Sequence, residues 1–284
     1  MLPPYTERLS DIAAQAYELA NKLCGSCRDL HALWPYIRLS RSSTGVELEG
    51  SQLIQVLREL MADGRRDVLI AGAADTGLLA LVARAAADQA TSHPTNIVVL
   101  DICETPLELC RRSATAWSLP IKTVRQDLVE LNVRQQFDLV LVHGTLHFMT
   151  PLGRTTALSA IQRAMRRGGR LVLLFNTSEP PTVETEDKIH IDYATAVLSE
   201  LKHQHVVLPD GEAALRERLA AHSRRRQLRE GAFTRPSDVT PLLEAAGLNV
   251  ISCDEVDAVL SSGMRNFVSR ISKRRFMAVC EPKR

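Results

Sequence analysis

Residues Asp67–Val82, DVLIAGAADTGLLALV, decide the fold. An apolar run, Val68 to Ala71, ends in Gly72. A second glycine stands at Gly77, and an apolar pattern of helical spacing starts there. Strand, glycine turn and helix in that order open a parallel sheet, with the turn at the sheet's carboxyl edge, where open α/β sheets bind ligands.

Working outward, the alternation continues. The runs NIVVLD (96–101), IKTVRQD (121–127), FDLVLVHG (137–144) and GRLVLLFN (169–176) read as further strands. Those at 67–72, 96–101, 138–143 and 170–175 are almost continuously apolar, as strands covered on both faces must be. Between them, TPLELCRRSATAW (105–117) and TALSAIQRAMRRGG (156–169) have helical period, the second with its stop at Gly168 and Gly169. Strands alternating with helices predict a doubly wound α/β fold, mostly parallel. After Asn176 the alternation lapses into polar amphipathic helix. It returns with TRPSDVTPLLEAAG (234–247), LNVISCDEV (248–256) and SKRRFMAVCEP (272–282), a last helix and two closing strands. Upstream, SDIAAQAYELANKL (10–23) and SQLIQVLRELMADG (51–64) read as helices. The divisions are a helical extension (1–63), a core (64–177), a helical insertion over the strand ends (178–233) and a completion of the core (234–284).

Composition narrows the function. Charged residues make up 24% and the net charge is +2, too small to imply a polyanionic partner, and 4% aromatics give no stacking platform for single strands. Basic runs at 223–229 and 269–275 read as solvated helix faces, so nucleic acid is not the expected partner. The amino terminus lacks a signal pattern, and no stretch is apolar for long enough to span a bilayer. A cytoplasmic protein that does not engage a membrane is expected, with its six cysteines reduced. Cys24 and Cys27 form a C-x-x-C pair with no second pair at zinc-finger spacing. They are taken as small core-facing thiols, and no metal is expected.

Three cofactors compete for the turn. Gly72 to Gly77 matches the P-loop skeleton, but Leu78 and Leu79 stand where lysine and Ser/Thr must follow, which excludes it. A dinucleotide turn needs a glycine at Ala74, and Asp75 would set a negative charge beside the pyrophosphate. S-adenosylmethionine carries no phosphate; it brings a sulfonium, an ammonium and ribose hydroxyls, which suit carboxylates. Asp101 closes the second strand, placed to accept both ribose hydroxyls, and Asp127 closes the third, placed for the adenine amino group.

With those residues in place, the sequence resembles the class I S-adenosylmethionine-dependent methyltransferases. VLIAGAADTG matches the first motif, VVLDIC the second and VRQDL the third. FDLVLVHGTLHFM matches the fourth strand with its loop, and AMRRGGRLVLLF the helix–Gly-Gly–strand signature. The resemblance covers roughly 64–177 and 233–281. It implies a seven-stranded sheet with an antiparallel last strand, S-adenosyl-L-methionine as cofactor and S-adenosyl-L-homocysteine as product. Cofactor contacts are expected from Gly72, Ala73, Ala74, Asp75, Gly77, Asp101, Ile102, Asp127, Leu128 and His143. Where the family has an acidic residue two positions before the first glycine, this chain has Ile70, and its turn is one residue longer. Asp75 is expected to supply the carboxylate from within the loop.

Methyl transfer asks the protein for alignment and a dry site, because the cofactor carries the reactive group. His147, in the loop after the fourth strand, is the expected general base, with His143 beside it. Tyr36, Arg38, Arg41, His147 and Phe148 are the expected acceptor contacts. The expected acceptor is an oxygen or nitrogen of a small metabolite, under a helical lid, with a homodimer as the candidate assembly. The alternatives are a catalytically silent binding or regulatory subunit, motivated by Ile70, an RNA or DNA methyltransferase, and a nicotinamide-dependent oxidoreductase.

Overall fold

The computed structural model describes residues 8–40, 46–89, 94–177, 186–227, 233–256 and 274–283. In chain order the elements are α1 (Leu9–Leu23), α2 (Arg28–Leu39), α3 (Val46–Ala62), β1 (Asp67–Ala71), α4 (Gly77–Ala87), β2 (Asn96–Asp101), α5 (Glu104–Ala116) and β3 (Ile121–Arg125). There follow β4 (Phe137–His143), α6 (Pro151–Ala164), β5 (Met165–Thr177), α7 (Glu186–His203), α8 (Gly211–Gln227), α9 (Thr240–Ala245), β6 (Leu248–Glu255) and β7 (Arg274–Pro282). The strands form one seven-stranded sheet in the order β3-β2-β1-β4-β5-β7-β6. β1 to β5 run parallel, and β7 runs antiparallel to both β5 and β6. The order reverses between β1 and β4, so a crevice opens at their carboxyl ends.

Side chains alternate across this sheet and bury both faces. Val68, Ile70, Val99, Leu139, Leu141, Val172 and Leu174 face α3, α4 and α5. Leu69, Ala71, Val140, Val142, Leu171, Leu173 and Phe175 face α6 and α9. Leu53, Leu57 and Met61 of α3 belong to the first layer, so α3 is a layer of the core rather than part of a cap.

A separate cluster joins the two helical additions. Leu33, Tyr36 and Ile37 of α2 pack with Tyr193, Val197, Leu198 and Leu201 of α7 and Leu215 and Leu219 of α8. Residues that read as polar helix from the sequence thus keep an apolar stripe, and the amino-terminal helices are what it covers. The insertion leaves and re-enters the core at neighbouring points, since Thr177 and Phe233 form a β-bridge.

One boundary differs from expectation. AMRRGG is not a helix running into a glycine stop: α6 ends at Ala164, and Met165 already pairs with Phe137 in the sheet. The register shifts between Phe137 and Leu139. Gly169 lies in this irregularity, where a Cβ would come within 2.9 Å of the Arg166 carbonyl oxygen and 3.2 Å of that of Phe137. The glycine therefore serves a backbone bulge rather than a helix end.

Candidate functional site

The carboxyl ends of β1, β2 and β3 bring the turn 72–76, Asp101 and Asp127 to one edge. Ala71 is level with Leu100, and Asp101 with Arg125. Gly72 has φ +87°, and a Cβ there would lie 2.2 Å from Thr145 Oγ1. That hydroxyl donates to the Ala71 carbonyl at 3.1 Å, so the turn after β1 is keyed to the loop after β4. Only glycine meets both demands.

Asp101 organises the turn. Its Oδ2 accepts from the Ala73 N–H at 2.9 Å and its Oδ1 from the Cys103 N–H at 2.7 Å. Burial raises its pKa, against the pull of those two N–H groups and of His31. A carboxylate has about four lone-pair sites. One on each oxygen is accounted for, which leaves acceptor capacity for a pair of hydroxyls. Next to it Ile102 is 62% exposed, a large apolar side chain at the strand end. Asp127 caps the short helical turn Leu128–Glu130 by accepting from the Val129 N–H at 3.0 Å, and it keeps a second oxygen. Leu128 points into the core.

Several expected contacts are corrected. Asp75 is buried: it accepts from the Gly77 N–H at 2.9 Å and forms an ion pair with Arg38, both side chains about 5% exposed. The loop carboxylate is thus neutralised from within. Arg38 closes the turn instead of clamping an acceptor, because a buried carboxylate without a cation is strongly disfavoured. Tyr36 is core, 3% exposed and edge-on to Tyr17 at 6.3 Å. Arg41 lies outside the described residues.

The ends of β4, β5 and β7 carry a polar network instead of carboxylates. His147 Nε2 accepts from the Asn176 N–H at 3.0 Å, and its ring lies edge-on to Phe233 at 5.4 Å. With Nε2 accepting, the proton of the neutral ring sits on Nδ1. The basic nitrogen is occupied, so His147 is a tether between loop and strand rather than a free base. His143 Nε2 accepts from Arg275 at 3.3 Å, and Arg275 Nε donates to Asn176 Oδ1 at 2.8 Å. Burial pulls the Arg275 pKa down to about 9. Arg154 Nε donates to the Leu146 carbonyl at 2.8 Å and lies over the Phe233 ring, fixing the same loop. Phe148 stands 49% exposed at its rim. A separate cavity of about 820 Å³, lined by Arg134, Arg163, Arg167 and Lys283 among others, opens at the amino end of β4 and β5, away from this edge.

The pair Cys24 and Cys27 is not buried in the core. It meets His31 and Cys103, the residue two positions beyond Asp101. The Cys24 thiol hydrogen bond, joined by His31, draws the Cys103 pKa down to about 3, and the same bond with burial raises that of Cys24. Burial disfavours the His31 cation, yet the Cys103 and Cys27 sulfurs outweigh it and bring its pKa up to about 10. The sequence reading missed His31 and Cys103. The C-x-x-C-x-x-x-H spacing was a local signal for the first, whereas Cys103 lies 76 positions beyond Cys27.

Sheet order, glycine turn and strand-end carboxylates define the methyltransferase class of the doubly wound fold. Residues 68–169 match the family model described as a methyltransferase domain. That match lies within the core that carries β1 to β5 and the carboxylates at their ends. Over 130 residues the chain is 28% identical to the carboxy-S-adenosyl-L-methionine synthase of Shewanella sediminis (strain HAW-EB3). That alignment covers 40% of this chain and 51% of that protein, so the chain spans about half the length of this curated relative. The 1,6-didemethyltoxoflavin-N1-methyltransferase of Burkholderia thailandensis, solved with 1,6-didemethyltoxoflavin and S-adenosylhomocysteine, is similar at TM-score 0.54 and 16% identity, covering 98% of this chain and 92% of that one. A possible exported protein of Bordetella parapertussis is similar at TM-score 0.52 and 18% identity, over 96% and 95%. At such identities these two likenesses show the fold. No helix among the described residues is long and apolar enough to cross a membrane.

Proposed function

We propose that this chain binds S-adenosylmethionine across the ends of β1, β2 and β3 and transfers its methyl group to an oxygen or nitrogen of a small molecule. One observation carries the reading. Asp101 is held by two backbone N–H groups with acceptor capacity to spare, beside an exposed Ile102 that a flat ring can cover. The acceptor set fits the cofactor: Asp101 accepts from the ribose hydroxyls, Asp127 accepts from the adenine amino group, and Ile102 covers the adenine face. Asp75, already paired with Arg38, is not assigned to the ammonium. When bound, the cofactor supplies an electrophilic methyl carbon on a sulfonium, whose charge is consumed in the reaction, so a dry site favours transfer.

The chain's own residues then orient and exclude water. Thr145 locks the β4 loop to the turn, and Arg154 and His147 hold that loop rigid. Because His147 Nε2 is engaged, the acceptor arrives as a free nucleophile, such as an unprotonated amine or an ionised hydroxyl. The helices α7 and α8, docked on α1 and α2, serve as the lid. The low net charge supports a small acceptor over nucleic acid.

The test supplies methyl-labelled S-adenosylmethionine with separate small-molecule, RNA and protein fractions of a cell extract. Label is expected in the small-molecule fraction. Label in RNA or protein overturns the acceptor class, and binding without transfer to any fraction favours a silent binding domain.

A further inference from the structure

Among the described residues, one cluster of metal-ligating side chains has no part in methyl transfer. Cys24 ends α1, Cys27 precedes α2, His31 lies in the first turn of α2 and Cys103 precedes α5. One ligand atom from each falls within 4.8 Å of all the others. The Cys24 and Cys27 sulfurs lie 3.3 and 3.5 Å from that of Cys103. A tetrahedral zinc ion with bonds of about 2.3 Å to sulfur sets its sulfurs about 3.8 Å apart. The observed separations are close to that edge and far longer than the ~2.05 Å of a disulfide. A disulfide would also use two of the four donors and leave the other two converging on nothing.

We propose that Cys24, Cys27, His31 and Cys103 bind one zinc ion in a closed, four-ligand site. His31 Nδ1 donates to the Ala74 carbonyl at 3.3 Å, which fixes the ring and turns Nε2 toward the sulfurs. Metal-bound histidines are oriented by such outer hydrogen bonds. The α2 and α5 ligands also lie at or near helix N-termini, where the peptide dipoles favour thiolate. With four protein ligands no position is left for water or substrate, so the ion is structural.

The place of the site gives it a consequence. Cys103 follows the Asp101 loop, and His31 bonds to the turn after β1. The ion therefore fastens the corner between α1 and α2 to the two segments that carry the ribose carboxylate and the glycine turn. The amino-terminal helices become part of the cofactor edge rather than a loose addition.

The test uses the full untagged chain, purified with a thiol reductant and no chelator, and measures metal by atomic spectroscopy. One zinc per chain is expected. Replacement by cobalt should give intense visible d–d bands and a near-ultraviolet thiolate-to-cobalt transition. C24S, C27S and C103S should each lose the metal, whereas H31C should keep it, with the cobalt spectrum shifted toward four thiolates. Competition with a chromophoric chelator should give a Kd below about 10⁻⁷ M. A folded chain that takes up neither zinc nor cobalt overturns the site. So does a disulfide between two of these cysteines in non-reducing peptide mapping, or full metal retention in C103S. Calorimetry of the zinc-loaded chain with S-adenosylhomocysteine tests the cofactor reading separately, since the metal content is read without it.

Discussion

The two halves of the site edge are built on different chemistry. At β1, β2 and β3 the polar groups are carboxylates, each tied to backbone N–H groups in its own or an adjacent turn: Asp75 to Gly77, Asp101 to Ala73 and Cys103, Asp127 to Val129. At β4, β5 and β7 they are His143, His147, Asn176 and Arg275, tied mostly to one another across 29 to 132 positions of sequence. In the first half Asp75 is neutralised by Arg38, while Asp101 and Asp127 keep acceptor capacity at the strand ends. The second is a cross-linked wall whose nitrogens are already spoken for. On the proposed reading, the first half holds the cofactor and the second half positions the acceptor rather than taking its proton.

The largest effect is expected at the Arg38–Asp75 pair. Replacing Arg38 by Ala strands a buried carboxylate and should destabilise the fold by about 3–5 kcal/mol in urea unfolding. The double replacement with Asp75→Ala should recover part of that loss. If the single and double variants unfold alike, Asp75 is not a buried charge held by Arg38, and a cofactor role for it reopens.

Gly72→Ala comes next. The Cβ meets Thr145 and the φ of +87° disfavours an L side chain, so a cost of about 2–4 kcal/mol is expected. Adding Thr145→Ala should relieve the contact but leave the backbone strain. Full rescue would mean that the left-handed turn is not required.

A smaller effect is expected of His147→Ala at the ends of β4 and β5. Loss of the acceptor for the Asn176 N–H should cost about 1–2 kcal/mol of stability and lower turnover, with the shape of the pH–rate profile unchanged. Disappearance of a profile limb near neutral pH would restore His147 as a base.

This contrast also explains what the sequence made legible. The strands, their alternation and the carboxylates at their ends were read directly, because a continuous apolar run and the residue that closes it are local properties. For His147 the sequence suggested a general base, whereas its Nε2 accepts a backbone hydrogen bond. Whether an imidazole is free depends on Asn176 and Phe233, which no short window contains. Arg38 shows the same failure, since its partner Asp75 lies 37 positions on. The polar reading of the insertion failed for a related reason. The stripe on α7 becomes visible only once α2 is known to cover it.

The most direct measurement is calorimetric titration of S-adenosylhomocysteine into the intact chain and into Asp101→Asn, with unfolding temperature as a control. The amide keeps the shape and one acceptor oxygen but loses the charge, so one-to-one binding by the intact chain and affinity about 10- to 100-fold weaker in the variant are predicted. Equal affinity in a folded variant, or no binding by the intact chain, would contradict the claim that this carboxylate grips the ligand.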